Sequence, residues 1–191
     1  KSVQLNRLVP DLALADLERV KIPYESLQIL EEVGKGAFGV IYRALWQNTP
    51  VAVKSLTGST QEETKRKAFE EFRREVYVMS GMRHPNLVNL LGFCVNPFAI
   101  VMEYVEHGNL YSFLRKENIK LDWSLRLRIA LDIARGMLYL HDATPPFIHR
   151  DLKSPNVLII SPDTNAEVVA KVGDFGLSSR MYVPALKQIG R

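Results

Sequence analysis

Cysteine is almost missing from this chain. Cys94 is the only one, so no disulfide can close within it, and a reducing, cytoplasmic setting is the default expectation. Long apolar runs are missing too. The longest, such as Phe98 to Met102, have the length of a strand, so no transmembrane segment is expected. The opening stretch KSVQLNRLVPDLALADLERV lacks the apolar core of a secretory signal. There is no internal repeat and no low-complexity tract. A large excess of one charge is missing as well, since 25 basic against 21 acidic residues leave a net +4. That balance tolerates anionic ligands such as nucleotide phosphates, but it is too weak to argue for a nucleic-acid partner.

What is present is ordinary globular material, 47% apolar and 24% charged, in a length that suits one sizeable domain or two small ones. Residues 1–24 read as a lead-in or linker in which Pro10 and Pro23 bracket a helix-compatible run, Asp11 to Val20. From Leu27 the runs LQILEEV, VIYRAL and VAVKSL are β-type, and GKGAFG and WQNTP separate them, which predicts a three-stranded antiparallel meander. Phe69, Phe72, Val76 and Met79 then recur at helical spacing behind a cap at Ser59 or Thr60. Glu62–Arg66, Glu63–Lys67 and Glu70–Arg74 line the outer face of that helix. Two more apolar runs, about Leu87 to Cys94 and Phe98 to Tyr104, complete a small sheet. After EHGNL a helix is expected from Leu125 to His141, capped by Asp122 or Ser124. It is apolar on nearly every side, with one polar stripe of Arg128, Asp132, Arg135 and Tyr139.

Four stretches carry candidate chemistry. In FIHRDLKSPNVLII, a carboxylate, an ammonium and a carboxamide (Asp151, Lys153, Asn156) crowd a loop between two apolar strands, although a solvated hairpin tip would be polar too. VGKGAFGVIY fits Gly-x-Gly-x-x-Gly through Gly34, Gly36 and Gly39. The dinucleotide-binding version opens a helix, whereas Val40-Ile41-Tyr42 continues as a strand. That leaves a glycine hairpin lying over phosphates, or a hairpin that merely uses glycine to turn. Lys54 in VAVK has apolar neighbours and needs a partner if it is buried, and Glu75 on the inward stripe of the helix is available; Lys54 could also point outward at an edge. Asp174 in AKVGDFGLS, with Asn156, offers hard oxygen ligands suited to Mg²⁺ held with phosphate. Asp151 is then left to accept a proton from a hydroxyl, and Lys153 to neutralise a phosphoryl group.

Taken in order, GKGAFGV, VAVK, EFRREV, HRDLKSPN and DFG resemble the signature set of a eukaryotic-type protein kinase, over residues 27–190. The resemblance implies an α+β, two-lobe fold. Residues 25–105 would form a complete β-rich N-lobe with its hinge, and residues 106–191 the first part of a helical C-lobe. It implies that Gly34, Gly36 and Gly39 cover the ATP phosphates and that Lys54, paired with Glu75, contacts them. Asp151 would be the base or hydroxyl-orienting residue, with Lys153 beside the γ-phosphoryl group and Asn156 and Asp174 on Mg²⁺. Val33, Ile41, Ala52 and Leu158 match the apolar plates around adenine, Met102 the gatekeeper, and Glu103 to Val105 the hinge. The lysine two residues after Asp151 is typical of Ser/Thr kinases. REVYVMSGMRHPNLVNLLGFC and VMEYVEHGNLYSFL are similar to the tyrosine-kinase-like group, and within it to the Roco branch. The implied partners are ATP and a protein bearing Ser or Thr hydroxyls, with further domains upstream in the parent protein.

The sequence stops at Arg191 with no Ala-Pro-Glu after Asp174, so this chain by itself is expected to be an incomplete, inactive fragment. A nucleotide-binding pseudokinase or an interaction fragment is the alternative, though Lys54, Asp151 and Asp174 are all retained. In resembling kinases an arginine placed like Arg150 can hold a phosphorylated activation segment, which here contains Ser178, Ser179 and Tyr182.

Overall fold

Gln47 and Asn48 both adopt positive φ, 51° and 62°, the geometry of a two-residue hairpin turn that asparagine tolerates. Around this turn the first part of the protein is built. The computed structural model describes residues 19–35, 39–56, 62–116 and 121–180. They fall into two units, residues 19–83 with 88–106, and residues 84–87 with 107–180.

The first unit is a five-stranded antiparallel sheet with one long helix. The strands are β1 (Leu27–Lys35), β2 (Gly39–Trp46), β3 (Thr49–Leu56), β4 (Leu90–Val95) and β5 (Phe98–Glu103), in the order β1-β2-β3-β5-β4. The meander read from the sequence is therefore present, and the two later runs pair with each other beside it. Helix α1 (Glu62–Ser80) packs through Phe72, Val76 and Met79, which are buried at the expected spacing. Its outer face carries Glu63–Lys67 at 2.8 Å, and Glu70 sits 3.8 Å from Arg66, one turn before it. These exposed pairs are solvated and screened by salt, and they contribute little to stability. The cap expected at Ser59 or Thr60 lies outside the described residues, as does most of the lead-in.

Cross-strand partners share a face of a sheet. Ile41, Lys54, Ile100 and Phe93 are successive partners, so they lie together on one face. Val53 and Val101 lie on the other, in a cluster with Val51, Cys94, Ala99, Leu27 and Ile22. Thus Ile22, ahead of the first strand, is part of the core.

In the second unit the main element is α3 (Trp123–Asp142). Asp122 caps it, accepting from the Leu125 amide at 2.8 Å. Asn109 likewise caps the short α2 (Leu110–Phe113). Two small ladders complete the unit: β6 (Phe147–Ile148) pairs with β9 (Ser179–Arg180), and β7 (Val157–Ile159) with β8 (Ala170–Val172). The polar stripe of α3 grips the chain around β8. Asp132, fully buried, accepts from the amides of Val169 at 2.8 Å and Ala170 at 3.1 Å, and Arg128 donates to the carbonyls of Ala166 and Glu167. The segment 84–87 also belongs here. Asn86 donates to the Ala170 carbonyl and accepts from the Val172 amide. Gly136 permits this approach, because a Cβ there would lie 2.7 Å from the Asn86 carbonyl oxygen. Leu127, Leu131 and Leu138 of α3 remain exposed among the described residues, in keeping with its many-sided apolar pattern.

Candidate active site

The loop that crowds three polar side chains into eight residues is not a hairpin tip. Its flanking strands pair elsewhere, β6 with β9 and β7 with β8, so the loop from His149 to Asn156 is held at each end by a different ladder. His149 is 1% exposed. Its Nδ1 accepts from the Asp151 amide at 3.3 Å and its Nε2 lies 3.0 Å from the Gly173 carbonyl. The two contacts together select the tautomer with the proton on Nε2. Burial pushes the imidazole below its ordinary pKa, which keeps it neutral, against the smaller opposing pull of the Gly173 carbonyl, Asp174 and Asp151. Its ring lies 5.3 Å from that of Phe175. The buried histidine thus ties the Asp151 loop to the Gly173-Asp174-Phe175 turn.

Around that tie the reactive groups converge. Lys153 Nζ is 2.8 Å from Asp151 Oδ2. The Lys153 hydrogen bond, followed by that from Asn156, holds the Asp151 carboxyl below its usual range, and Asp151 in turn raises Lys153. Asn156 donates from Nδ2 to the Asp151 backbone carbonyl at 2.8 Å and to Oδ2 at 3.0 Å. With its amide nitrogen committed, the carboxamide oxygen is the atom left to bind a ligand. The Asn156 carbonyl accepts from the Gly173 amide at 2.9 Å, so Asn156 and Asp174 are joined through one backbone bond. Arg150 and Asp174 adopt left-handed φ of 67° and 62°. Such conformations cost about 1–3 kcal/mol each and persist where the surroundings impose them, commonly at functional sites. An amide oxygen and a carboxylate so linked fit a hard, oxygen-seeking divalent cation such as Mg²⁺.

In the first unit, Lys54 Nζ lies 2.7 Å from Glu75 Oε2, with side chains 14% and 2% exposed. Lys54 is turned inward, toward α1, and Glu75 is placed by the same inward stripe as Phe72 and Val76. Ile41 and Ala52 flank it on neighbouring strand positions, and Met102 pairs with Ala52. Val33 is half exposed beside Gly34, which pairs with Ile41, and Gly39 is buried opposite Leu56. Gly36 lies outside the described residues. Glu103 accepts from the Asn89 amide at 2.7 Å and donates its own amide to the Asn89 carbonyl, and Val105 is buried. Leu158 belongs to the second unit, in β7 opposite Lys171.

A family model described as protein tyrosine and serine/threonine kinase matches residues 27–188. The chain belongs to the protein kinase family. Relatives include three Dictyostelium discoideum proteins. "Probable serine/threonine-protein kinase pats1" is 49% identical over 189 residues, covering 95% of this chain and 6% of the relative. "Probable serine/threonine-protein kinase roco5" is 44% identical over 96% of this chain and 7% of its own length. "Probable serine/threonine-protein kinase roco6" is 50% identical over 88% and 8%. The kinase chain therefore spans less than a tenth of the length of these three relatives, and the similarity agrees with the Roco-like character read from the sequence.

Three positioning residues of the kinase escaped the sequence reading. For His149 the available signal is a histidine two residues before a reactive aspartate, between apolar strands. Asp132 was placed on a polar stripe, but nothing showed that the stripe would turn onto β8. The Asn86 bonds to Ala170 and Val172 have no local signal, because those partners stand far along the chain.

Proposed function

We propose that this kinase chain is a serine/threonine protein kinase catalytic domain, moving the γ-phosphoryl group of ATP to protein hydroxyls. The observation that carries the reading is the Asp151 carboxylate held between the Lys153 ammonium and the Asn156 amide. The relatives' names and the lysine two residues after Asp151 support Ser/Thr hydroxyls as acceptors.

In this reading Asp151 orients the acceptor hydroxyl. Like any aspartate it is a carboxylate at neutral pH, ready to accept a hydrogen bond, and its depressed pKa makes it a weak base that takes the proton late. The hydroxyl oxygen forms a bond to the γ-phosphorus while the bond to the β,γ-bridging oxygen breaks, and ADP leaves. Lys153 faces the charge of the transferring group. Asn156 and Asp174 would hold Mg²⁺, which supplies neutralisation of phosphate charge when bound. Lys54, aimed by Glu75, contacts the phosphates with Gly34, Gly36 and Gly39. Val33, Ile41, Ala52, Met102, Glu103, Val105 and Leu158 are assigned to the adenine end. We take residues 25–105 and 106–191 as the two functional segments, preceded by the linker, in a cytoplasmic protein with further domains.

The test is phosphoryl transfer from Mg²⁺-ATP to serine, threonine and tyrosine peptides by the full-length protein. Asp151→Asn should lower turnover at least about a hundredfold, the usual size of a positioned acid–base group, with nucleotide affinity retained. Undiminished turnover in that variant would overturn the reading, and tyrosine as the preferred acceptor would overturn the Ser/Thr assignment.

A further inference from the structure

The segment ahead of β1 does more than lead in. Lys21 forms a parallel bridge with Phe93, and the Ile22 amide donates to the Phe93 carbonyl at 2.8 Å. β4 is the last strand of the sheet, so this strap lies along its outer edge. Ile22 is 4% exposed, seated among Leu27, Cys94, Ala99 and Val101 on the sheet face away from Lys54. Gly92 makes the fit possible. It pairs with Val101 and so presents that same face. A Cβ there would lie 2.4 Å from the Val20 carbonyl oxygen and 2.6 Å from Ile22 Cδ1.

The other face of β4 touches α1. The Phe93 ring stands edge-on to Phe72 at 6.2 Å, and Phe72 packs on Phe98 at 5.3 Å. Phe72 precedes Glu75 by three residues, nearly one helical turn, so both sit on the same helix face. Phe72, Glu75, Lys54 and Ile100 line one small cavity. β4 is thus clamped on both sides, by the strap through its backbone and by α1 through the Phe93 ring.

We infer that the Val20–Ile22 strap is a positioning device for the Lys54–Glu75 pair. It fixes β4 at Phe93, Phe93 seats Phe72, and Phe72 sets the rotation of α1 that brings Glu75 to Lys54. Withdrawal of the strap, by a pull on the chain ahead of Arg19, frees β4 to shift and loosens the pair. This makes the preceding chain a control input to the phosphate-contacting lysine. The inference rests on the assignment of Lys54 proposed above, but its geometry lies wholly within the first unit.

The test reads Lys54 without nucleotide, so a failure of phosphoryl transfer would leave it standing. In the intact chain, the labelling rate of Lys54 by an amine-reactive ester is followed by mass spectrometry. Glu75→Gln, which breaks the pair directly, sets the upper rate. Gly92→Ala adds the methyl that evicts the strap while keeping every core side chain, and Ile22→Ala removes the anchor from the other side. Both should move Lys54 labelling at least halfway toward the Glu75→Gln rate, while amide exchange at Val53 and Ala44 stays slow. Ile22→Val should restore the wild-type rate. Wild-type labelling in both variants, with cleavage after Arg19 or Lys21 showing that the strap has been released, would overturn the inference. So would labelling that rises only in step with exchange at Val53 and Ala44, since that is general loosening. If Gly92→Ala does not fold, Ile22→Ala with its valine rescue decides the question.

Discussion

Replacing Asp132 with alanine should cost the second unit more than any surface change, and the structure sets the size. Oδ2 alone accepts from both the Val169 and Ala170 amides, at 2.8 and 3.1 Å, while Oδ1 faces Arg128 at 3.3 Å and Arg135 at 3.4 Å. Asp132→Ala leaves two buried amides without an acceptor, at about 1–3 kcal/mol each, and removes the carboxylate from two guanidiniums. A loss of roughly 3–5 kcal/mol follows, a large share of a typical domain's net stability of about 5–15 kcal/mol. Asp132→Asn behaves differently. Its oxygen can take the place of Oδ2 and keep both amide bonds, but its amide nitrogen then points donors at two arginines, so the cost falls to about 1–2 kcal/mol. The effect should reach the site, because the held amides begin the strand that delivers Gly173 and Asp174. Urea unfolding followed by circular dichroism gives the stability, and hydrogen exchange over residues 169–174 gives the local effect. An alanine variant within about 1 kcal/mol of wild type, or one losing stability with Gly173 protection unchanged, would refute the reasoning.

Three further outcomes are expected. His149 is held neutral below its ordinary 6.5, so the unfolded chain binds the extra proton first as pH falls. Stability is lost below pH 6.5 by up to about 1.4 kcal/mol per pH unit until the folded value is reached. His149→Gln should flatten that acid limb in pH-dependent denaturation. Lys153→Ala removes the main cause of the depressed Asp151 pKa, so the acid limb of turnover should move to higher pH, and an unmoved limb would mean that another group titrates. Ser178 is 1% exposed, with its hydroxyl donating to the His149 carbonyl at 3.2 Å, and Ser179 Oγ is also buried. In this arrangement Ser178 would have to leave its bond to the His149 carbonyl before a phosphate could be added there. Ser178→Ala should therefore cost about 1 kcal/mol, the worth of one hydrogen bond, and phosphopeptide mapping should find Ser178 unmodified in the folded protein.

The sheet was legible because its signals are local. Period-two apolar runs, the Gln47-Asn48 turn and the helical spacing of Phe72, Val76 and Met79 each declare themselves within a few residues. The Lys54–Glu75 pair was legible for a related reason, since a lysine among apolar neighbours demands a partner and Glu75 stands on the inward helix stripe with Phe72 and Val76. What stayed hidden was whatever depends on distant pairing. The FIHRDLKSPNVLII flanks read as two strands, but their partners, β9 and β8, could not be told from the stretch itself. The same holds for Ile22, which sits in a segment with a linker's composition yet fills a hole that only the folded β4 edge creates.

The two hydrogen bonds from Asn156 to Asp151 fix the charge of the cation site. An aspartate there would set acceptor against acceptor beside Asp151 Oδ2, so the position demands a neutral amide. With Asn156 and Asp174 as the ligands proposed above, the protein offers a divalent cation one negative charge and one dipole. Two such ligands are few for Mg²⁺, which gives up its hydration water reluctantly. Most of the attraction must then come from the triphosphate, and the ion arrives as part of the nucleotide. Magnesium alone should leave the apo chain's thermal midpoint nearly unmoved. Cation and nucleotide should therefore show strong mutual dependence in calorimetry, each binding tightly only in the other's company.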